Sequence, residues 1–536
     1  MGYNFAGGGD GDQLFLLPPD PRDWLPPGHL AWALRALVAE MDLSPFMSWY
    51  RADGQGRTAY HPQLMVTLIG YCYCKGLRSS RAIEMATWDD VGARVICSGL
   101  HPDHPAIARF VSRHEQAVKG LLVASLIACA KQGLVSVDVV AGDGTKIRAN
   151  ASMASNATAA QLDIDIAGLQ ELVDAEVDRW LAQAQAEDAA EDALFSAGER
   201  GDGPAAGGDA RKLAALTGKL ARRQKARAKI EATREARRAA ARSAHAEKIA
   251  RLADRVARAE RQAARAEAVC RAREEDYQRR AAAKAAAGSG KRPDGRVPVP
   301  AADHSVVARA RQAASKARDA IAALETAGPV VPADPQPPEQ ASTTDPASRV
   351  MPAKHGGFIQ GYNTQVIAGR HQIILGITTH DNPTDTGALH PLLAAAAANL
   401  AAAGITSPIG KALFDAGYAS DTNFTTPCQA ELYVSVTREA RQTGRLRDGK
   451  QPPSTLPSWQ AMTARLATPE GQAIYKQRSA MIEPVFAQLF NRLGRHLHYR
   501  DTKVDLELHL CATSHNLLKA IRAIRRNAAE LKPAPA

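Results

Sequence analysis

Asp143, Asp415 and Glu483 are the residues of this chain whose type and setting could do chemistry together. Asp143 opens Asp143-Gly-Thr-Lys-Ile-Arg148 directly after the apolar run Leu134 to Ala141. That run reads as a buried strand, so a carboxylate is expected where a strand ends. Asp415 follows a short strand expected over Lys411 to Phe414, and open sheets gather ligands at the carboxyl ends of their strands. Glu483 stands before Pro484 in Tyr475-Lys-Gln-Arg-Ser-Ala-Met-Ile-Glu483. Carboxylate oxygens hold hard divalent cations, and two such ions about 4 Å apart activate an attacking oxygen and stabilise a leaving one. Asp, Asp and Glu in that order make a possible two-metal centre for phosphodiester chemistry, and the basic Lys146 and Arg148 suit a phosphate beside it.

Each acid has a plainer reading. Asp-Gly is a common turn pair, Asp415 precedes Gly417 in a second possible turn, and Glu483-Pro484 suits a helix's first turn, where the dipole favours an acid. Asp138 competes with Asp143, but it lies within the alternating run Val135, Val137 and Val139 and is expected inside the strand rather than at its end.

Five ordered blocks decide between these readings: Asp143-Gly-Thr-Lys-Ile-Arg-Ala-Asn-Ala-Ser152, Thr344-Asp-Pro-Ala-Ser-Arg-Val-Met351, Gly361-Tyr-Asn-Thr-Gln365, Asp415-Ala-Gly-Tyr418 and Glu483-Pro-Val-Phe486. With them the chain resembles a DDE transposase of a bacterial insertion sequence. The resemblance implies that Asp143, Asp415 and Glu483 are catalytic and hold Mg2+ or Mn2+, two ions per active site. It also implies an enzyme that binds the terminal inverted repeats of its element, cleaves strands and transfers them. Its partner is then double-stranded DNA, element ends and target alike, on which it acts as a homo-oligomer. Tyr475 and Arg478 match the Tyr and Arg that accompany the Glu in many such enzymes, and Lys146, Arg148, Tyr475, Arg478, Arg492 and Arg495 are the candidate DNA contacts. The chain departs from the pattern at Phe490, seven positions after Glu483, where these enzymes carry a Lys. Arg478 is the first candidate to replace that cation and Arg492 or Arg495 the second; a DNA-binding derivative that has lost catalysis is the rival reading.

The elements that must position these residues span 536 residues, enough for two or three folded units. The net charge of +11 favours a polyanionic partner only modestly. Its distribution says more: residues 151–210 hold two Arg against thirteen acids, and residues 211–280 hold 22 Lys and Arg against nine acids. Apolar residues at alternating steps of three and four mark helices there: Leu162 to Val173, Ile249 to Cys270 and Val307 to Leu324. This reads as an inserted coiled coil whose basic helix is either neutralised by the acidic one or free to contact DNA. Gly288 to Gly295 and a Pro-rich stretch, Pro329 to Pro346, bound it.

Before it, Ser79 to Glu84 and Asp103 to Phe110 are helix starts that could form a helix-turn-helix, and Tyr60-His-Pro62, Gly76-Leu-Arg-Ser-Ser-Arg81 and Asp103-His104 extend the resemblance to a helical DNA-end-binding region. After it come a hairpin of Gly361 to Ala368 with Gln372 to Thr379, a helix over Gly387 to Ala403, strands at Lys411 to Phe414 and Leu432 to Val436, and helices from Glu470. The expected fold class is α+β: a ribonuclease H-like catalytic core interrupted by a long helical coiled-coil insertion and preceded by an all-α N-terminal domain. The corresponding boundaries are 1–131, 132–150 and 351–536 for the N-terminal domain and the two parts of the core, with 151–350 for the insertion and linker.

Seven Cys without a Cys-x-x-Cys pair suggest reduced, buried thiols. No His-Glu-x-x-His run or phosphate loop is present. Met1 to Asp12 is Gly-rich and acidic, unlike a secretory signal, and Leu121 to Ala130 is too short to span a bilayer, so the expected location is the cytoplasm, which the resemblance makes bacterial and at the nucleoid.

Overall fold

The computed structural model describes residues 21–50, 58–197, 209–287, 292–293, 295–330, 335, 338–353, 356–436 and 456–530. The expectation for Met1 to Asp12, most of that for Gly288 to Gly295 and part of that for Pro329 to Pro346 lie outside them. The chain divides into two compact units, one made of Met1–Asn156 with Ser342–Ala536 and the other of Ala157–Ala341.

The first unit begins with helices α1 (Leu30–Ala39), α2 (Ser44–Met47), α3 (Pro62–Cys74), α4 (Ser80–Asp89), α5 (Val91–Cys97), α6 (His104–Arg113) and α7 (Glu115–Lys131). Several start at side-chain caps: Ser79, Asp90 and Asp103 accept from the backbone N–H of Ala82, Ala93 and Ala106. The two helix starts expected to form one motif are separated by α5, which the capping Asp90 launches directly after α4. These helices share one apolar core with the sheet that follows, through residues such as Leu68, Leu122, Val140, Ile367 and Leu517.

That sheet is built on β1 (Val139–Arg148), which pairs antiparallel with β5 (Phe358–Gly369) and parallel with β7 (Lys411–Phe414). β4 (Arg349–Pro352) and β6 (Ile374–His380) pair with successive parts of the far edge of β5, and β8 (Glu431–Val434) runs parallel to β7. Three antiparallel strands followed by two parallel ones give the ribonuclease H-like arrangement, interrupted between its first two strands. The core is completed by α11 (Leu389–Ala402), α12 (Asp421–Thr425), α13 (Pro457–Ala467), α14 (Pro469–Tyr475), α15 (Gln477–Leu493) and α16 (Lys503–Glu530).

Two local expectations are corrected. The first strand does not end before Asp143; it starts after Asp138 and continues to Arg148, because β5 is long enough to pair every residue from Val140↔Gly369 to Arg148↔Gly361. The glycines inside it serve close packing rather than a turn: a Cβ at Gly142 would lie 2.2 Å from the Phe414 ring, and one at Gly144 would lie 2.5 Å from Gln365 Nε2. Asp138 therefore sits before the strand, where Arg370 pairs with it at 2.8 Å. Glu483-Pro484 is not a helix start either, since both residues lie inside α15. The Pro cannot donate to the carbonyl of Ala480, and Gln372 Nε2 reaches that oxygen instead, at 3.4 Å.

The second unit consists of three long helices, α8 (Ala159–Ala197), α9 (Asp209–Ala286) and α10 (Ser305–Ala327), with a two-stranded sheet of β2 (Asn156–Thr158) and β3 (Gln340–Ser342) at its two chain ends. The acidic α8 folds back on the first part of the basic α9. Asp163 meets Arg227 at 2.8 Å, Asp165 meets Arg223 at 3.6 Å and Glu176 meets Lys212 at 2.7 Å. The distal part of α9 packs on α10 through Ala259, Ala263, Cys270, Val307, Ala310, Ala314 and Ala317, all buried, with Arg311 pairing Glu267 at 2.6 Å. Of the seven Cys, only Cys428 is exposed. Among the described residues no helix is long and apolar enough to cross a membrane.

Candidate active site

β1 and β7 run side by side with Ala141 opposite Leu413, so two residues further on Asp143 and Asp415 stand level with each other. Asp143 shares a strand face with Thr145 and Ile147, the face on which α15 lies. One of its oxygens accepts from the N–H of Gly144 at 2.8 Å and the other from Arg478 Nη2 at 3.2 Å. Asp415 is the first residue beyond β7 and caps a 3-10 turn, Ala416–Tyr418, by accepting from Gly417 N–H at 2.8 Å. Its second oxygen lies 3.8 Å from the same Arg478 Nη2. One guanidinium thus bridges two carboxylates delivered by neighbouring strands.

Arg478 is carried on the buried face of α15, with Ile482, Val485 and Leu489, and only 10% of its side chain is exposed. Burial raises the Asp143 carboxyl to about 6; Arg478 opposes that rise, and the nearby charges of Asp415 and Asp385 add to it.

Glu483 lies five residues after Arg478 on α15, on the solvent side of that helix. Among the described residues no three His, Cys, Asp or Glu side chains stand close enough together to hold a metal ion, so the structure brings Asp143 and Asp415 together and leaves Glu483 outside the pair. Tyr475 is half-buried at the end of α14, where its hydroxyl donates to the carbonyl of Phe414 at 3.2 Å and so fixes the end of β7 beside Asp415. The ammonium of Lys146 reaches the carbonyl of Pro352 at 3.0 Å. Arg148 is exposed at the end of β1, and Arg495 is exposed after α15. Arg492 is turned inward: its Nε and one Nη are buried without a hydrogen-bond partner, and burial lowers its pKa. Phe490 packs against Phe486, ring centroids 5.9 Å apart, over Thr145, Ile147 and Thr364.

Sequence reasoning missed Asp385. Its Oδ1 accepts from Asn363 Nδ2 at 2.7 Å and from Gln365 Nε2 at 2.8 Å. Gln365 in turn accepts from the hydroxyl of the buried Tyr418, so a chain of hydrogen bonds runs from Asp385 through β5 to the turn that Asp415 caps. Asn363, Gln365 and Tyr418 lie in blocks that the resemblance singles out. Asp385 lies in Asp381-Asn-Pro-Thr-Asp385, whose composition signals only a turn.

Residues 19–113 match the model of a transposase domain, DUF772, and residues 453–521 match that of a transposase DDE domain. The first match covers most of the N-terminal helices; the second covers the helices carrying Arg478 and Glu483 and stops short of both aspartates. No curated protein and no solved structure matches the chain. Two transposase matches, in this order along the chain, support a DDE transposase of an insertion sequence.

Proposed function

We propose that the protein binds the terminal inverted repeats of an insertion sequence, cleaves DNA strands there and joins the freed 3′-hydroxyl to target DNA in a divalent-metal-dependent reaction. The observation that carries this reading is the pairing of Asp143 and Asp415 about the Arg478 guanidinium. Two acids held level on adjacent strands are a donor set for a hard cation, and the guanidinium between them already balances their charge in its place. Mg2+ or Mn2+ would be held by Asp143 and Asp415, with Glu483 as the third ligand once α15 or its side chain turns toward them. Such ions polarise the phosphate and stabilise both attacking and leaving oxygens. The residues of this chain do the rest. Tyr475 and the Tyr418–Gln365–Asp385 chain hold the Asp415 turn against β1, and Arg478, once released from the carboxylates, offers a planar fork to a phosphate.

The test is a cleavage assay on supercoiled plasmid carrying the DNA that flanks the gene, with Mg2+, with Mn2+ and with chelator. Metal-dependent nicking at the element boundary is expected. DNA binding with no cleavage under any metal would replace the reading with that of a binding-only derivative.

A further inference from the structure

The connector from α15 to α16, Gly494 to Thr502, is pinned through its backbone on two sides. Toward β1, the Arg495 carbonyl accepts from Arg148 N–H at 3.1 Å and Leu497 N–H donates to the Arg148 carbonyl at 2.8 Å. Asn150 Nδ2 donates to the His498 carbonyl at 2.7 Å. From the other side, Arg78 donates to the His496 carbonyl at 2.7 Å, and Glu507 accepts from the N–H groups of His498 and Tyr499 at 2.9 and 3.0 Å. Arg78 and Glu507 are themselves an ion pair at 2.9 Å, 7% and 0% exposed. Asp501 N–H donates to the buried Asp345. Hydrogen bonds from both sides thus hold the connector's backbone in place.

What the network leaves outside is cationic. Arg495 and Arg500 are exposed, next to Arg148 at the end of β1 and Arg81 in the first turn of α4. Arg500 spends one edge of its guanidinium on Asn150, with Nε 2.7 Å from the carbonyl oxygen. Arg495 lies over the Phe490 ring, 4.1 Å from its centroid, so the position at which the helix lacks a cation is covered by one from the connector. Two grooves flank this row, one lined by Arg148, Gln360 and His496 and the other by Arg81, Asn150 and His498.

We infer that this connector is a preorganised grip for the phosphate backbone of double-stranded DNA, with Arg495, seated on Phe490, as its central cation and Arg148 and Arg500 beside it. Guanidinium groups on a fixed backbone lose little freedom when they take a phosphate, and each exchanges counterions for a contact. The inference rests on the reading that DNA is the partner, and it places the grip on the catalytic unit itself.

The experiment titrates the full chain, without metal, against a duplex of arbitrary sequence of about 30 base pairs over a range of KCl concentrations, since each phosphate contact adds about 0.9 to the slope of log affinity against log salt. Arg495→Ala should lower the slope by about one, and Arg148→Ala, Arg495→Ala and Arg500→Ala together by about three. Phe490→Lys in the Arg495→Ala background should restore the lost unit. The comparator removes Arg255, Arg258 and Arg265 from the exposed face of α9; circular dichroism checks each fold. If the triple connector variant keeps the wild-type slope, or the loss is found only in the α9 variant, the connector is not the grip. If Phe490→Lys fails to restore it, Arg495 does not stand in for a cation at 490. If the wild type shows no salt-dependent binding at all, it is the transposase reading that falls first.

Discussion

Asp143→Asn should make the protein more stable while abolishing cleavage. The Asp143 carboxyl is raised from 3.8 to about 6, chiefly by burial. Because the folded state holds this proton more tightly than the unfolded chain, the stability it contributes is fully present below about pH 4 and is lost as pH rises through about 6. At pH 7.5, carrying the charge costs about 3 kcal/mol, two units at about 1.4 kcal/mol each. Asn keeps the shape and removes that charge. The gain is smaller than the full cost because Arg478 loses a charged partner and water still reaches the 23% of the Asp143 side chain that is exposed. About 1 to 2 kcal/mol remains, a rise in melting temperature of about 1 to 3 °C for a unit of this size. The assay is thermal unfolding of wild type and variant in chelator at pH 7.5 and pH 4.5, with the gain at the second reduced to about a third, because the folded wild type there keeps its proton while the unfolded chain has begun to lose it. Adding Mn2+ at pH 7.5 should stabilise the wild type and leave the variant unmoved. A variant that melts below wild type at pH 7.5, or that gains equally at both pH values, would show that burial does not strain this acid.

Asp415→Asn and Glu483→Gln should each abolish strand cleavage with DNA binding largely intact; cleavage that persists in either removes that residue from the set of ligands. Arg478→Ala should cripple strand transfer, and normal transfer would mean that the bridge between the aspartates is structural only. Tyr418→Phe severs the bond to Gln365 and should lower the cleavage rate about tenfold, a cost of about 1.4 kcal/mol at the transition state; an unchanged rate would separate the Asp385 chain from the site. Arg78→Ala leaves Glu507 charged and buried, so urea unfolding should show a loss of about 3 to 5 kcal/mol, and a loss under 1 kcal/mol would contradict the burial of that pair.

The parts of the fold that sequence made legible are those where one signal dominated. The hairpin of β5 and β6, α11 and β7 fall within a few residues of their expected bounds, since apolar alternation and helical spacing there meet no competing pattern. The opposite charges of residues 151–210 and 211–280 foretold a choice between pairing and exposure, and the ion pairs of α8 with α9 show pairing over about the first quarter of α9. β1 was misjudged because Asp-Gly carries a turn signal that only the partner strand overrides, and a partner reached across an insertion of that length is invisible locally. Glu483-Pro484 misled for the same reason: Pro inside a helix is tolerated here because Gln372, remote in sequence, satisfies the freed carbonyl. The site's pairing of Asp143 with Asp415 could be expected from two strand-associated acids; its bridging by Arg478 and the place of Asp385 depend on side-chain geometry that spacing does not carry.

The two-stranded sheet at the ends of the helical unit bears on how the chain reaches its native pairing at all. β1 and β5 are adjacent in the sheet yet separated by the whole of α8, α9 and α10. Closing a flexible loop of roughly 200 residues costs about 2 kcal/mol more than closing one of roughly 25. The helices of the insertion form through near-neighbour contacts, and β2 with β3 then brings its two ends together, at Asn156–Thr158 and Gln340–Ser342. With β2 and β3 paired, the strand bearing Asp143 reaches β5 across a tether of roughly 25 residues, so the insertion adds little to the entropy cost of that pairing.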